Sequence, residues 1–430
     1  MKTLIRFIAV LFFSLSGILV ASAQNENMLE QRAREICGQF HANPGGDYEK
    51  LFAPTFLSQV PTAQLNQLFA QYFEQLGACT GVKLTEAKSL NAGKFDLIFA
   101  KGFSAPLSVE IQPDNARLVV GAFIGNPAKQ SNSLEEIVGE LKKLDGETSL
   151  YIVKLESTGA KPIIAHNADK QMPLGSAFKL YILSELVRQV NAKERKWSDV
   201  VVLRENYKSF PGGIMQNWVT DTPVTLATLA TLMISISDNT ATDTLLFELG
   251  RENVEKAVAA NGHTQPGVNR PFLSTGEMFR LKSLNNQKLA EQFVALDALA
   301  KRDFLVRTID PIKPADVQFW GEPRFVENIE WFASEQDICR LLDSLRRATE
   351  TDKTARAIMA INPGLTIPPE RWQYAGFKGG SEPGVLHAAY LLQSTKGEWY
   401  AFSAGWKNAQ KPIDEKKFLA LVQKIFSLIS

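Results

Sequence analysis

Residue types that commonly bind metals are scarce in this sequence. Its 430 residues include four histidines and three cysteines, and the histidines are scattered along the chain. No His-Glu-x-x-His pair and no Cys-x-x-Cys pair occurs, so the spacings that bring metal ligands together are missing. We therefore expect no metal and no other cofactor.

An excess of charge of either sign is missing as well. The chain has 47 basic and 46 acidic side chains, which gives a formal net charge of +1. Nucleic acids and anionic surfaces attract strongly basic proteins, so neither is an expected partner. The sequence also has no internal repeat and no low-complexity segment. This composition is typical of a globular protein.

A long apolar run occurs at the N-terminus. Lys2 and Arg6 precede the run Phe7–Val20, and the small residues Ala21–Ala23 follow at the spacing of a cleavage site. The pattern predicts a secretory signal peptide over residues 1–23. An uncleaved membrane anchor is the alternative, although about 14 apolar residues are short for a full span. No later stretch is typical of a membrane span, so we expect an exported protein, periplasmic or extracellular.

The cysteines are Cys37, Cys79 and Cys339. In an oxidising compartment, Cys37 and Cys79 could form a disulfide within the N-terminal region, or each could be a small buried hydrophobic residue. Cys339 lies in an amphipathic helical segment with its own N-cap, which favours a role in core packing.

The N-terminal region has the pattern of a separate domain. A linker-like segment, Gly125–Ser133, predicts a small domain over residues 27–127 and a larger one over residues 135–430. Helix-like stretches followed by strand-like runs indicate a small α+β domain: Asn27–His41, Thr62–Leu76, Lys83–Leu90, Lys94–Ala100, Leu107–Ile111 and Leu118–Ile124. Its expected role is structural, shaping access to a site, with peptide or cell-wall binding as the alternative.

A Ser-x-x-Lys motif, Ser176 to Lys179, lies at the start of an apolar helical pattern. Pro173 and Gly175 interrupt the chain before it, and apolar residues across Phe178–Val190 predict a buried helix that begins near the serine. Ser176 and Lys179 then share one face of the first turn. A lysine that is stripped of water near other cations can act as the base for a serine nucleophile. A bare Ser-x-x-Lys also arises by chance, as an exposed pair on a helix.

Two further motifs follow in order. Ser237-Asp238-Asn239 lies in a predicted turn between helices, where a hydroxyl can relay a proton and an amide can bind substrate or the lysine. Lys378-Gly379-Gly380 lies on a predicted strand whose glycines allow another backbone to approach closely. The N–H of Ser381 could then be an oxyanion donor beside that of Ser176. Taken singly, these motifs are also compatible with an ordinary turn and a glycine turn beside a charge.

Together the three motifs make residues 135–430 resemble the class A β-lactamase family and its penicillin-recognising serine relatives. The stretches Thr222–Thr225 and Thr240–Asp243 resemble the family's surroundings of the second motif. The resemblance implies an α+β fold, a five-stranded antiparallel sheet with helices and a helical subdomain. The small domain before it is similar to the cystatin-like or NTF2-like domains of some β-lactamase-like hydrolases, including one of clavam biosynthesis.

The resemblance also implies a role for each matching residue. Ser176 is expected to be the nucleophile, Lys179 its base, Ser237 a proton shuttle, and Lys378 the anchor for a substrate carboxylate. The expected substrate-binding residues are Asn239, Gly379, Gly380 and Ser381. The implied substrate is a small molecule, a β-lactam or a related ester, and the implied biological role is β-lactam catabolism and antibiotic resistance. We expect a monomer.

The sequence departs from the family's pattern at two places. The segment Lys256–Gly276 contains no Asp or Glu, where the family has a glutamate that activates the deacylating water. Glu277 comes next, but it follows Ser274 in a capping-box pattern, which favours a structural role. Gly379 stands where the family has Thr or Ser, and the lost hydrogen bond to a substrate carboxylate is worth about 1.5–3 kcal/mol. Ser381 could restore that bond.

Three functions therefore remain open. The first is a serine hydrolase of the β-lactamase type acting on β-lactams or esters, and the second is a D,D-peptidase or penicillin-binding protein that deacylates slowly. The third is a binding module without activity, which would have no need of a nucleophile with a base and a relay. The segment Leu284–Trp331, between the second and third motifs, could form a lid or substrate wall, or it could be an insertion packed on the helical subdomain.

Overall fold

The structure is a computed structural model that describes residues 28–114, 116–129 and 133–429. The chain forms two compact units, Met1–Ser131 and Asn132–Ser430. The predicted signal peptide, residues 1–23, lies outside the described residues. Among the helices that the structure describes, none is long and apolar enough to cross a membrane.

The first unit is a small α+β unit. Its elements are α1 (28–37), α2 (Pro54–Gln59), α3 (Thr62–Leu76), β1 (Cys79–Ser89), β2 (Ala92–Phe99), β3 (Phe103–Ile111), β4 (Val119–Ile124) and β5 (Ala128–Lys129). The strands form an antiparallel sheet with the order β1-β2-β3-β4, and β5 pairs with β3. Burial alternates along β2, as the two-residue period of a strand requires. Phe95 and Leu97 therefore share a core with Ile36 of α1 and Phe69 of α3.

A disulfide joins Cys37, at the end of α1, to Cys79, at the start of β1. The sequence had left this pairing open, because it depends on a Cα–Cα distance of 5.4 Å that spacing does not reveal. The bond closes a loop with a sequence separation of 42 residues inside a small unit. Such a link stabilises mainly by restricting the unfolded chain.

Replacing both cysteines by alanine (Cys37→Ala with Cys79→Ala) is expected to lower the free energy of unfolding of the first unit by about 2–4 kcal/mol. Urea unfolding of the full chain, followed by far-UV circular dichroism, measures the change. All seven tryptophans belong to the second unit, so the tryptophan fluorescence transition is an internal control that should not move. Equal unfolding midpoints for the two proteins by circular dichroism would contradict the prediction.

The second unit is built on a five-stranded antiparallel sheet. The strands of this unit are β6 (Glu147–Glu156), β7 (Gly159–His166), β8 (Met172–Pro173), β9 (Val200–Val202), β10 (Pro223–Thr225), β11 (Phe332–Ala333), β12 (Trp372–Glu382), β13 (Val385–Ser394) and β14 (Trp399–Lys407). The sheet has the order β12-β13-β14-β6-β7, while β8 pairs with β11 and β9 pairs with β10 outside it. Nearly every residue of β13 is buried, because both faces of the sheet are covered. The predicted fold class, an α+β unit with a five-stranded antiparallel sheet, is confirmed.

The helices of the second unit cover both faces of the sheet or form the helical subdomain. They are α4 (Leu134–Leu141), α5 (Lys179–Asn191), α6 (Leu226–Ser235), α7 (Asn239–Leu249), α8 (Arg251–Ala260), α9 (Thr275–Lys282), α10 (Gln287–Ala295), α11 (Ala298–Phe304), α12 (Glu335–Ala348), α13 (Thr354–Met359) and α14 (Glu415–Leu428). Apolar residues of α4 and α14 pack on one face. The other face contributes to a larger core with α5, α12 and the helical subdomain, where Cys339 is buried as predicted.

The segment Leu284–Trp331 packs on the helical subdomain. Its helices α10 and α11 are followed by a turn over Leu305–Ile309, and Phe293 and Leu305 join the large core. This part of the segment adds to the core, in agreement with the structural alternative, packing on the helical subdomain, that the sequence had left open. Its last two residues, Glu330 and Trp331, have a different position, because they line the cavity described below.

Candidate active site

A cavity of about 470 Å³ opens in the second unit. Six of the eight residues predicted for the site line it, namely Ser176, Ser237, Asn239, Gly379, Gly380 and Ser381. The other two, Lys179 and Lys378, are buried beneath it, and both bond to Ser237. The structure thus brings all eight residues to one place from three distant stretches of the chain.

Ser176 lies in a tight turn rather than in the first turn of the predicted helix. The segment Gly175–Phe178 is a 3₁₀ turn, and α5 begins at Lys179. Gly175 has a φ of +46°, a backbone conformation that favours glycine. The turn leaves Ser176 partly exposed toward the cavity, while Ala177 and Phe178 are buried beneath it.

Lys179 is fully buried and bonds to neutral groups. Its Nζ donates to the backbone oxygen of Ser237 at 2.7 Å, to Ser237 Oγ at 3.0 Å and to Asn239 Oδ1 at 2.7 Å. Within the described chain, no carboxylate bonds to this amine. Burial, together with the positive charge of Lys378, lowers the pKa of Lys179 well below its ordinary value. The neutral amine is thereby favoured. It has two N–H groups for the three neighbouring oxygens, so its lone pair is left to accept a proton.

Lys378 approaches Ser237 from β12. Its Nζ donates to Ser237 Oγ at 3.1 Å and to the backbone oxygen of Gly379 at 2.7 Å, and burial lowers the pKa of Lys378 to about 7. When Lys179 carries a proton, Ser237 Oγ therefore accepts hydrogen bonds from two amines. The hydroxyl proton of Ser237 then points elsewhere, and the cavity is the open direction.

Asp238 holds the turn that carries Ser237 and Asn239. Its Oδ1 accepts from the Ala241 amide at 2.8 Å and caps α7, while its Oδ2 accepts from the Met215 amide at 2.9 Å and from the neighbouring Ile214 amide. Ser237 has a φ of +59°, which this fixed turn imposes. Sequence reasoning gave Asp238 no separate role, because its partners lie in a loop outside the motif.

Asn239 bonds in two directions. Its Oδ1 accepts from Lys179, and its Nδ2 donates to the backbone oxygen of Pro211, which also lines the cavity. Two roles were expected for this amide, binding the substrate and contacting the lysine. The structure contains the contact with the lysine.

Strand β12 crosses the Ser176 turn at very close range. A Cβ on Gly380 would lie 2.5 Å from the Ser176 nitrogen and 2.0 Å from the backbone oxygen of Leu174, so only glycine fits there. A Cβ on Gly175 would likewise lie 2.8 Å from the Ser381 nitrogen. The backbone amides of Ser176 and Ser381 are thus brought to the same edge of the cavity, where two N–H groups can stabilise an oxyanion.

Comparison with known proteins gives a family match for part of the chain. Residues 129–308 match the model of the beta-lactamase enzyme family. The predicted resemblance is confirmed for that part of the chain, and the second unit has the β-lactamase/transpeptidase-like fold. No curated protein matches the chain.

Several solved structures are similar to about two thirds of this chain. A β-lactamase from Sphaerobacter thermophilus is 19% identical, covers 68% of this chain and 94% of its own, and has a TM-score of 0.48. A β-lactamase from Francisella tularensis is 13% identical, with coverages of 68% and 97% and a TM-score of 0.47. A mutant of PBP-A in an acyl-enzyme complex with penicillin G is 15% identical, with coverages of 69% and 97% and a TM-score of 0.47.

The structure explains why glycine stands at position 379, where the β-lactamase family has Thr or Ser. A Cβ on Gly379 would lie 2.8 Å from the ring of Phe377. That ring packs on Tyr390 with 4.6 Å between the ring centroids, so it has little freedom to move. The missing hydroxyl is therefore a consequence of the aromatic residue two positions earlier. The exposed side chain of Ser381 lines the same cavity.

Glu277 is committed to structure, as its capping-box pattern predicted. Its carboxylate accepts from the Ser274 amide at 2.6 Å, and Ser274 Oγ caps α9 in return. Both of its oxygens also accept from the Arg251 guanidinium, at 2.7 and 2.9 Å. Glu277 is almost fully buried and is not among the residues that line the cavity. The usual deacylation base of the family therefore has no counterpart at Glu277.

Proposed function

We propose that the second unit is a serine hydrolase that opens β-lactam amides or related esters through an acyl-Ser176 intermediate. The observation that carries this proposal is the buried amine of Lys179, whose partners among the described residues are Ser237 and Asn239. Burying an amine without a carboxylate partner costs stability, because the charged form loses its hydration. A base that activates a nucleophile requires such an amine, so this role accounts for the cost.

The proposed acylation has three steps. Neutral Lys179 removes the proton of Ser176, whose Oγ then attacks the carbonyl carbon of the substrate. The backbone amides of Ser176 and Ser381 stabilise the oxyanion. Ser237, which is bonded to both lysines, donates its proton to the leaving nitrogen or oxygen and recovers one from Lys179.

A slowly deacylating penicillin-binding protein is the second candidate. The carboxylate of Glu277 is occupied by a salt bridge with Arg251 and by the capping box. Because this carboxylate is not free to activate a water, slow deacylation would follow. A binding module without activity is less well supported. A binding module would have no use for the two buried amines, Lys179 and Lys378, that bond to the Ser237 hydroxyl. Burying these amines costs stability.

The test is incubation of the full mature chain with nitrocefin, a β-lactam, and with p-nitrophenyl acetate, an ester. Absorbance measures turnover, and intact and peptide mass locate any adduct. Steady turnover of nitrocefin supports a β-lactamase, and turnover of the ester alone supports an esterase. A long-lived stoichiometric adduct on Ser176 supports the penicillin-binding candidate, whereas no reaction with either substrate would leave only the binding module.

The role of Lys378 as an anchor predicts a pH dependence. Because its pKa is about 7, the charged amine that attracts a substrate carboxylate is present below that pH and is lost above it. We expect kcat/KM for nitrocefin, which carries a carboxylate, to fall about tenfold per pH unit above pH 7 relative to kcat/KM for p-nitrophenyl acetate. A ratio that stays constant from pH 6 to pH 9 would rule out the anchor. In Lys378→Met the ratio should be low at every pH.

We also propose that the protein is exported. The Cys37–Cys79 disulfide supports this proposal, because structural disulfides persist in oxidising compartments. The role proposed for the first unit remains structural.

A further inference from the structure

A second group of charged side chains lies in the cavity wall. Glu330 and Glu382 both line the cavity, and Lys282, from the end of α9, lies between them. Lys282 is fully buried and forms an ion pair with Glu382 Oε1, while its Nζ lies 3.7 Å from Glu330 Oε1. Glu330 is only 4% exposed. We call these three residues the acidic wall.

The acidic wall flanks the Ser176 turn on two sides. The backbone oxygen of Trp331, the neighbour of Glu330, accepts from the Leu174 amide at 2.9 Å, and the Trp331 ring stacks on Phe178 with 3.6 Å between centroids. Glu382 follows Ser381, whose amide lies against Gly175. Glu330 and Glu382 are therefore sequence neighbours of two residues, Trp331 and Ser381, that contact the Ser176 turn.

Two carboxyl oxygens of the acidic wall have no N–H donor among the described residues. Glu330 Oε2 accepts from the Trp331 amide at 3.0 Å, whereas Glu330 Oε1 and Glu382 Oε2 have no such partner. The two glutamates form a side-chain hydrogen bond with each other when one of them is protonated. When that proton is lost, the two oxygens need another donor, and the cavity is where a donor such as water can come from.

We propose that Glu330, supported by Lys282 and Glu382, is the general base for the water that hydrolyses acyl-Ser176. This inference rests on the acyl-enzyme of the proposed function. A water proton moves to Glu330 Oε1 as the water oxygen attacks the acyl carbonyl carbon. The bond from that carbon to Ser176 Oγ then breaks, and the proton on Glu330 passes to Oγ. One water is consumed, and the free acid and the free serine are formed.

The charge around Glu330 gives this step a pH dependence. The charged groups that face Glu330 are Lys282 from α9 and Glu382 from β12. Burial and the nearby Glu382 carboxylate raise the pKa of Glu330 to about 8. The ionised base is therefore scarce at neutral pH and becomes abundant as the pH rises through about 8, so we expect deacylation to accelerate over the same range.

Glu330→Gln tests the proposal, because glutamine keeps the shape of a protonated glutamate and cannot accept the proton. In the full chain, the burst of chromophore release measures acylation, and the decay of the adduct mass measures deacylation. We expect acylation within about threefold of wild type and deacylation slower by about 10²- to 10⁴-fold. The matched control is Glu327→Gln, three positions earlier, which removes an exposed glutamate paired with Lys407 and should change neither rate.

Several results would overturn the proposal. One is a Glu330→Gln protein that deacylates at the wild-type rate, and another is equal loss of both rates, which indicates a structural role. If that variant fails to fold, the wild-type protein still tests the proposal. A deacylation rate that does not change from pH 6 to pH 10 would overturn it. A wild-type chain that neither forms an adduct nor turns over a substrate overturns the proposed function too, whereas normal acylation with unchanged deacylation in Glu330→Gln overturns only this inference.

Discussion

Ser176→Ala is expected to form no covalent adduct and to lose at least about four orders of magnitude in hydrolysis, because the variant has no nucleophile at the position where the oxyanion donors converge. Its fold should persist, since the Ser176 side chain is partly exposed and the turn depends on Gly175 and Gly380. Intact mass after incubation with nitrocefin measures the adduct, and initial rates measure hydrolysis.

The matched control for that variant is Ser184→Ala. Ser184 lies on α5, close to Ser176 in sequence, and its Oγ donates to the backbone oxygen of Tyr181 outside the cavity. The control should retain both adduct formation and turnover. An adduct that persists in Ser176→Ala would instead assign the nucleophile to another hydroxyl, with Ser237 as the nearest alternative in the site.

Lys179 is expected to be needed as a base and not as a charge. Lys179→Met removes the amine, and Lys179→Arg keeps a positive charge that cannot be given up. Both variants should slow acylation by about 10²- to 10⁴-fold, the usual contribution of a general base. Burst kinetics with a chromogenic ester measures the rate, and circular dichroism verifies the fold.

The pH profile separates the two roles of Lys179 further. Because the pKa of Lys179 is lowered, the neutral base is present above that lowered pKa and is lost by protonation below it. Wild-type acylation should therefore rise with pH on the acidic side, and the rise should be missing from both variants. An Arg variant that acylates at the wild-type rate would show that the charge alone is sufficient.

Local patterns predicted much of the fold and most of the residues that meet at the site. The helix Thr62–Leu76 was predicted at its observed bounds, and the strand that carries Lys378 was predicted from its apolar run and glycines. These signals lie within short stretches of sequence. The three motifs could be linked because their order resembles a known family, not because spacing reveals that they touch.

Features that depend on distant contacts were missed. Ser176 was placed at a helix start, but the approach of β12 through Gly380 holds it in a 3₁₀ turn. No role was predicted for Glu330, which lies in a segment without clear periodicity. Its partners Lys282 and Glu382 come from α9 and β12. No pattern within one segment contains such information.

The strand order has a consequence for how the chain folds. The pairing of β6 with β14, for example Leu150 opposite Ala404, joins two strands between which the whole helical subdomain is encoded. Closing so long a loop costs entropy, and non-local pairing of this kind is slow. The Ser176 turn likewise needs Gly380, which is synthesised far later. Ser176 is therefore synthesised early, but the turn that holds it cannot form until almost the entire chain has been made.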